Sequence, residues 1–110
     1  MLKGIFGNAT AEKVLLYLEQ YGEGYAKGIA DNFNRIALSP VQRQLERLEA
    51  AGVLVSQLKG RTRLFTWNPR YAFADEVHAL LRKALRSLPE EERRRFFTRR
   101  GRPRRTGKPL

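Results

Sequence analysis

Residues 38–54 decide the fold, and they read LSPVQRQLERLEAAGVL. Ser39 followed by Pro40 is typical of a helix start, because a serine at the cap accepts a backbone N–H and a proline at the first helical position loses no hydrogen bond. Gly52 predicts the end of the same helix, since glycine readily takes the left-handed conformation that follows a last helical turn. The pattern therefore predicts a helix over residues 39–51.

The predicted helix has one apolar face and one polar face. At about 100° per residue, Val41, Leu45 and Leu48 fall on the same side, which is the pattern of a helix packed on a core. The other side and its flanks carry amide, guanidinium and hydroxyl groups, the residue types that hydrogen-bond to the edges of DNA bases. These polar residues are Ser39, Gln42, Arg43, Gln44 and Arg47.

A hairpin with a cationic tip is predicted directly after this helix, over residues 53–67. Residues 53–55 and 64–67 are rich in β-branched and aromatic side chains, and the glycine at position 60 supplies the turn between them. The basic residues of the tip are Lys59, Arg61 and Arg63.

Amphipathic helices are predicted on both sides of this central part. Thr10 can cap a helix that runs to about Gly22, and a shorter helix is expected over 25–33, followed by a turn. After the hairpin, residues 73–88 carry a wide apolar face. A short helix is then predicted after Pro89, with acidic residues in its first turn and arginines near its end, as the helix dipole favours.

The net charge of +11 at pH 7 is concentrated at the C-terminal end. Residues 93–110 contain nine Lys and Arg and no acidic residue, so they carry +9 of that charge. Such segregation is typical of nucleic-acid-binding proteins. We expect one folded domain over residues 1–97, closed by Phe96 and Phe97 docking on the core, and a disordered basic arm over residues 98–110.

The order of these elements and several motifs resemble the ArsR-like transcriptional regulators, including members without a sensor domain. The motifs are Ile29-Ala30, residues 38–45 (LSPVQRQL), residues 48–54 (LEAAGVL), residues 60–63 (GRTR) and Asn68-Pro69. The resemblance implies a winged helix-turn-helix, an α+β fold that is mainly α with a small β-hairpin. It also implies that the helix over 39–51 enters the major groove and that the wing contacts the backbone or minor groove.

Carried over by position, the resemblance assigns groove contacts to Ser39, Gln42, Arg43 and Gln44, and the polar face adds Arg47. Arginine can bond both acceptors of guanine, and glutamine can pair with adenine. The wing residues Lys59, Arg61 and Arg63 would neutralise phosphates, which fixes the register on the duplex without reading its sequence.

Members of the family usually dimerise through their terminal helices, which makes a homodimer the expected state. The residues predicted for the interface are Val77, Leu81, Ala84, Leu85 and Leu88. The alternative for this face is packing against the first helix of the same subunit. The family often senses metals through Cys and His, whereas this chain has no cysteine and a single histidine, His78. No metal site and no cofactor are therefore predicted.

The arm contains a short motif that is similar to the core of an AT-hook, formed by Arg100, Gly101, Arg102 and Pro103. Glycine lets the backbone approach the floor of a narrow minor groove, and the flanking guanidinium groups then lie along it. The alternative is an arm that binds phosphates without base preference.

These features together predict a sequence-specific transcription regulator, a repressor that binds double-stranded DNA in the cytoplasm at the nucleoid. Two alternatives stay open: an architectural protein that coats DNA with little sequence choice, and a winged-helix adaptor that binds another protein. No enzyme is predicted, because the serines lack matched His and acid partners and the paired carboxylates lie at helix starts. No apolar run is long enough for a membrane span, and no secretory signal is expected.

Overall fold

Helices surround a small antiparallel sheet in the computed structural model, which describes residues 1–98. This part of the chain is mostly helical, with six helices and three strands, so the predicted α+β class is confirmed. In chain order the elements are α1 (Lys3–Phe6), α2 (Ala9–Tyr21), β1 (Glu23–Tyr25), α3 (Ala26–Asn32), α4 (Leu38–Ala50), β2 (Leu54–Lys59), β3 (Thr62–Trp67), α5 (Ala74–Ser87) and α6 (Glu90–Phe96).

Two of the predicted helix caps are wrong. The α2 helix is capped by Asn8, whose side-chain oxygen accepts a hydrogen bond from the backbone N–H of Ala11 at 2.7 Å, and not by Thr10. The α4 helix begins one residue earlier than predicted, with Ala37 at its cap position and no side-chain cap. Ser39 therefore lies inside the first turn.

The sheet has β3 at its centre, with β1 on one side and β2 on the other. Strands β2 and β3 form the predicted hairpin, which we call the basic hairpin (residues 54–67). Its two-residue turn begins with Gly60 at φ 63°, the left-handed region that favours glycine. The third strand, β1, was not predicted; it is three residues long and pairs Gly24 with Phe65.

The core lies between the helices and one face of the sheet. Val41, Leu45 and Leu48 of α4 are buried in it, which confirms the predicted apolar face of that helix. The α2 and α5 helices pack against each other, and α2 also contacts α4. The largest fully buried side chains are Val14, Leu15, Leu18, Ile29, Val41, Leu45, Leu54 and Leu81.

The apolar face of α5 packs mainly within its own chain. Leu81, Ala84 and Leu88, three of the residues predicted for a dimer interface, belong to the buried core of the chain. The α2 helix of the same chain packs against α5, which is the alternative named above. Val77 and Leu85 are half-buried and pack against the same core.

The α6 helix is fixed to the core by the two phenylalanines at its end, as predicted. The rings of Phe96 and Phe97 lie with their centroids 5.3 and 5.6 Å from that of Phe33. The Tyr21 hydroxyl and the Asn32 amide donate hydrogen bonds to the Phe96 carbonyl, at 2.9 and 3.1 Å. The chain is thus held next to the end of α3 just before residue 98, where the arm was predicted to begin.

Candidate nucleic-acid interface

The polar face of α4 is directed away from the core. Ser39, Gln42, Arg43 and Arg47 are exposed, as predicted for groove contacts, while Gln44 is partly buried at one flank. The start of the helix is set by the preceding turn, in which Asn34 and Arg35 adopt left-handed φ values. The backbone N–H of Ile36 donates back to the Ala30 carbonyl at 3.1 Å, which closes the turn against α3.

Two of the exposed arginines have hydrogen-bond partners within the protein. The Arg43 Nη1 donates to the Ser39 hydroxyl at 2.8 Å, so Ser39 supports an arginine instead of capping the helix. The Arg47 Nε donates to Gln44 Oε1 at 2.9 Å, and its Nη2 donates to the Phe6 carbonyl at 3.2 Å. Arg47 therefore links α4 to the end of α1, a short helix that the sequence analysis did not identify.

The basic hairpin lies on the opposite flank of α4. Lys59, Arg61 and Arg63 are all exposed, as expected for phosphate contacts. Arg63 Nη1 donates to the Ser56 hydroxyl at 3.1 Å, and that hydroxyl donates to Glu49 Oε2 on α4 at 2.8 Å. This chain of hydrogen bonds joins the hairpin to α4.

A groove of about 510 Å³ separates α4 from the basic hairpin, and we call it the α4–hairpin groove. Its α4 side includes Gln42, Glu46 and Glu49 beside two leucines, and its hairpin side includes Arg61 and Arg63. The two glutamates were not among the predicted site residues. Both lie at polar positions of α4, but acidic side chains repel phosphates and so carry no signal for a DNA-binding surface.

The cations of α4 and the hairpin differ from several others on the surface in having no acidic partner within residues 1–98. Within residues 1–98, ion pairs join Lys27 to Asp31, Arg82 to Glu19 and Arg94 to Glu90. In the same part of the chain no ion pair includes any of the predicted DNA-binding cations, which are Arg43, Arg47, Lys59, Arg61 and Arg63. Their positive charge is available to an external anion.

A second polar cluster lies away from this surface and has a structural role. The Nδ1 of His78 lies 2.5 Å from a carboxylate oxygen of Glu19, and its ring packs edge-on against Trp67. The indole N–H of Trp67 donates to the Leu18 carbonyl at 3.1 Å. These contacts join α5, β3 and α2.

Among residues 1–98, no group of three His, Cys, Asp or Glu side chains is placed to hold a metal ion. None of the helices there is both long and apolar enough to cross a membrane. The motif of Arg100, Gly101, Arg102 and Pro103 lies outside the described residues, as does all of the predicted arm beyond Thr98.

Comparison with known proteins adds no relative, because no family model, curated protein or solved structure matches the chain.

Proposed function

We propose that this chain is a winged helix-turn-helix protein that binds double-stranded DNA in a sequence-specific way and represses transcription by covering a promoter. In this proposal α3, the following turn and α4 are the helix-turn-helix, and the basic hairpin is the wing. The proposed place of action is the cytoplasm, at the nucleoid, with no catalytic step and no cofactor.

The observation that carries the proposal is the surface shared by α4 and the hairpin. It combines exposed Arg43, Arg47 and Gln42 on one helix with an adjacent hairpin whose cations have no acidic partner within residues 1–98. An α-helix fits the major groove of B-DNA, and arginine and glutamine there can recognise guanine and adenine. Lysine and arginine on a flanking hairpin give affinity through phosphates.

The hairpin turn is well placed for a backbone or minor-groove contact, because it extends the sheet beyond the core. The tip from Leu58 to Arg63 is exposed throughout. The arm after Thr98 would add a second contact with DNA, through the AT-hook-like motif or through phosphates. A homodimer is kept in the proposal, and it would place two α4 helices about 34 Å apart on a palindromic site.

The test is selection of a binding site from a random duplex library with the full chain, followed by affinity measurements on that site and on random DNA. We expect Arg43→Ala to weaken binding to the selected site by about fivefold or more, because one good arginine–guanine pair gives about 1–3 kcal/mol of discrimination. Binding to random DNA should weaken much less. Equal losses on both duplexes would contradict the assignment of Arg43 to base recognition.

A matched control is Arg86→Ala, which removes the same charge from an exposed position on α5. It should change the affinity for both duplexes slightly and equally. Binding by the full chain without any sequence preference would favour the architectural function. Absence of binding to any duplex at low salt would favour the protein adaptor.

A further inference from the structure

Glu46 is an acidic residue in the middle of the surface assigned to DNA. It follows Gln42 by four residues and Arg43 by three, so the three side chains are neighbours on the helix surface. Its side chain is exposed and borders the α4–hairpin groove. A carboxylate in this position opposes the phosphate binding that the surrounding cations promote.

The carboxylate of Glu46 also differs from that of Glu49 in its partners. Glu49 accepts a hydrogen bond from Ser56 at 2.8 Å, which explains its place at the edge of the groove. Glu46 takes part in no hydrogen bond or ion pair within the described residues, although Arg43 lies one turn before it. Arg43 is instead turned toward Ser39, in the N-terminal direction of the helix. No structural role within residues 1–98 accounts for Glu46.

A carboxylate inside the major groove can form hydrogen bonds with only a few of the groups on the base edges. Phosphate oxygens, guanine N7 and O6 and thymine O4 are all acceptors and repel it. Amino groups of cytosine and adenine are the available donors. The adenine amino group lies beside the N7 acceptor of the same base, whereas cytosine offers its N4 amino group without such a neighbour. A carboxylate is therefore matched best to cytosine, and the hydrogen bond is strengthened by its charge.

We propose that Glu46 determines sequence specificity by accepting a hydrogen bond from the N4 amino group of a cytosine in the major groove. The inference rests on the proposed function, because it requires α4 to lie in that groove. On this view Glu46 lowers the affinity for DNA in general and raises the preference for one base. Arg43 and Gln42, on either side of it, would contact the neighbouring base pairs.

The experiment compares the full chain with its E46Q and E46A variants in selection from random duplexes, followed by competition binding. For the wild type we expect one position with cytosine preferred. Replacing that C·G pair by T·A should weaken wild-type binding by about tenfold, the lower part of the range for a specific base contact. In E46Q and E46A this loss should shrink to about twofold, while the other positions of the motif and the affinity for random DNA stay the same or increase.

The matched control is E76Q, which removes the same charge from an exposed position in the first turn of α5, outside the α4–hairpin groove. It should leave the preference for cytosine unchanged. The inference would be overturned if E46Q selected the same motif as the wild type. It would also be overturned if the wild type preferred adenine at the position that E46Q alters. In both cases the proposed function would stand. Failure of the full chain to bind any duplex would overturn the proposed function, and the inference with it.

Discussion

Gly24 is the position where a single added methyl group should disturb the base of the hairpin. This buried residue lies in β1 and pairs with Phe65 at the centre of the sheet. A Cβ atom there would lie 2.7 Å from the Cε1 of Tyr17 and 3.3 Å from the Cγ1 of Ile29. The Tyr17 ring has little space to move, because its centroid lies 4.6 Å from that of Tyr21 and it meets the edge of Phe33.

We therefore expect Gly24→Ala to lower the free energy of unfolding. Overpacking of a core by one methyl group costs about 1–3 kcal/mol, and the lower entropy of the unfolded alanine chain returns about 0.4–1 kcal/mol. The net loss should be about 1–2 kcal/mol, which lowers the Tm of a domain of this size by roughly 5–10 °C. Gly24 is buried and is not part of the proposed DNA-binding surface, so the affinity for DNA should fall only as far as the folded fraction of the protein falls.

The matched control is Gly28→Ala. Gly28 is exposed in the middle of α3, and a Cβ atom there would meet nothing within 4 Å. Alanine is favoured over glycine inside a helix by about 0.8–1 kcal/mol, so this variant should raise the Tm by several degrees. Urea denaturation followed by circular dichroism measures the free energy of unfolding of both variants, and thermal denaturation measures their Tm. A Gly24→Ala variant as stable as Gly28→Ala would refute the close approach of β1 and α2.

Three further predictions concern the hairpin, the end of α6 and the start of α4. Removing the charges of Lys59, Arg61 and Arg63 together should reduce the slope of log K against log salt concentration by up to about 2.7, since each phosphate contact contributes about 0.9. Phe97→Ala should lower the free energy of unfolding by about 3 kcal/mol, because the ring is buried against the core. Ser39→Ala should weaken binding to the selected site by less than fivefold, since it removes one exposed hydrogen bond to Arg43, worth about 1 kcal/mol.

Each of these predictions has a control and an opposing result. For the hairpin, an unchanged salt slope in the triple variant would show that the hairpin does not contact phosphates, and Arg86→Ala serves as the control for charge alone. For α6, Arg93→Ala at an exposed position should change stability little, and a Phe97→Ala variant as stable as the wild type would contradict the docking of this helix. For α4, a loss as large as that of Arg43→Ala would show that Ser39 itself contacts DNA.

The elements that sequence alone predicted are those with strong local signals. The bounds of α4 agree with the predicted 39–51 to within one residue at each end. The prediction succeeded because the apolar repeat and the glycine that follows it are local signals, which do not depend on contacts with distant residues. The hairpin was predicted for the same reason, from a glycine between two runs of strand-forming residues. The exposed polar face of α4 followed directly from the helical period.

The elements that were missed depend on contacts between distant residues. Strand β1 has three residues, and its pairing with β3 crosses about 40 positions of the chain, so the sequence holds no periodic signal for it. The predicted cap of α2 is wrong because Asn8 and Thr10 are both good capping residues and only the path of the chain selects between them. The apolar face of α5 suits either α2 or a second copy, and its pattern is the same in both cases.

The two flanks of α4 place different demands on any duplex that binds there. On the α1 flank, Arg43 and Arg47 are already held by Ser39, Gln44 and the Phe6 carbonyl, so less side-chain entropy is lost when they bind an anion. Arginine has five donors, and these bonds leave others free. On the hairpin flank, the carboxylate of Glu46 repels phosphate oxygens and the hydrogen-bond acceptors on the base edges. Arg43 and Arg47 should therefore contribute affinity for the selected site at a low entropic cost, whereas substitution of Glu46 should change which base is preferred.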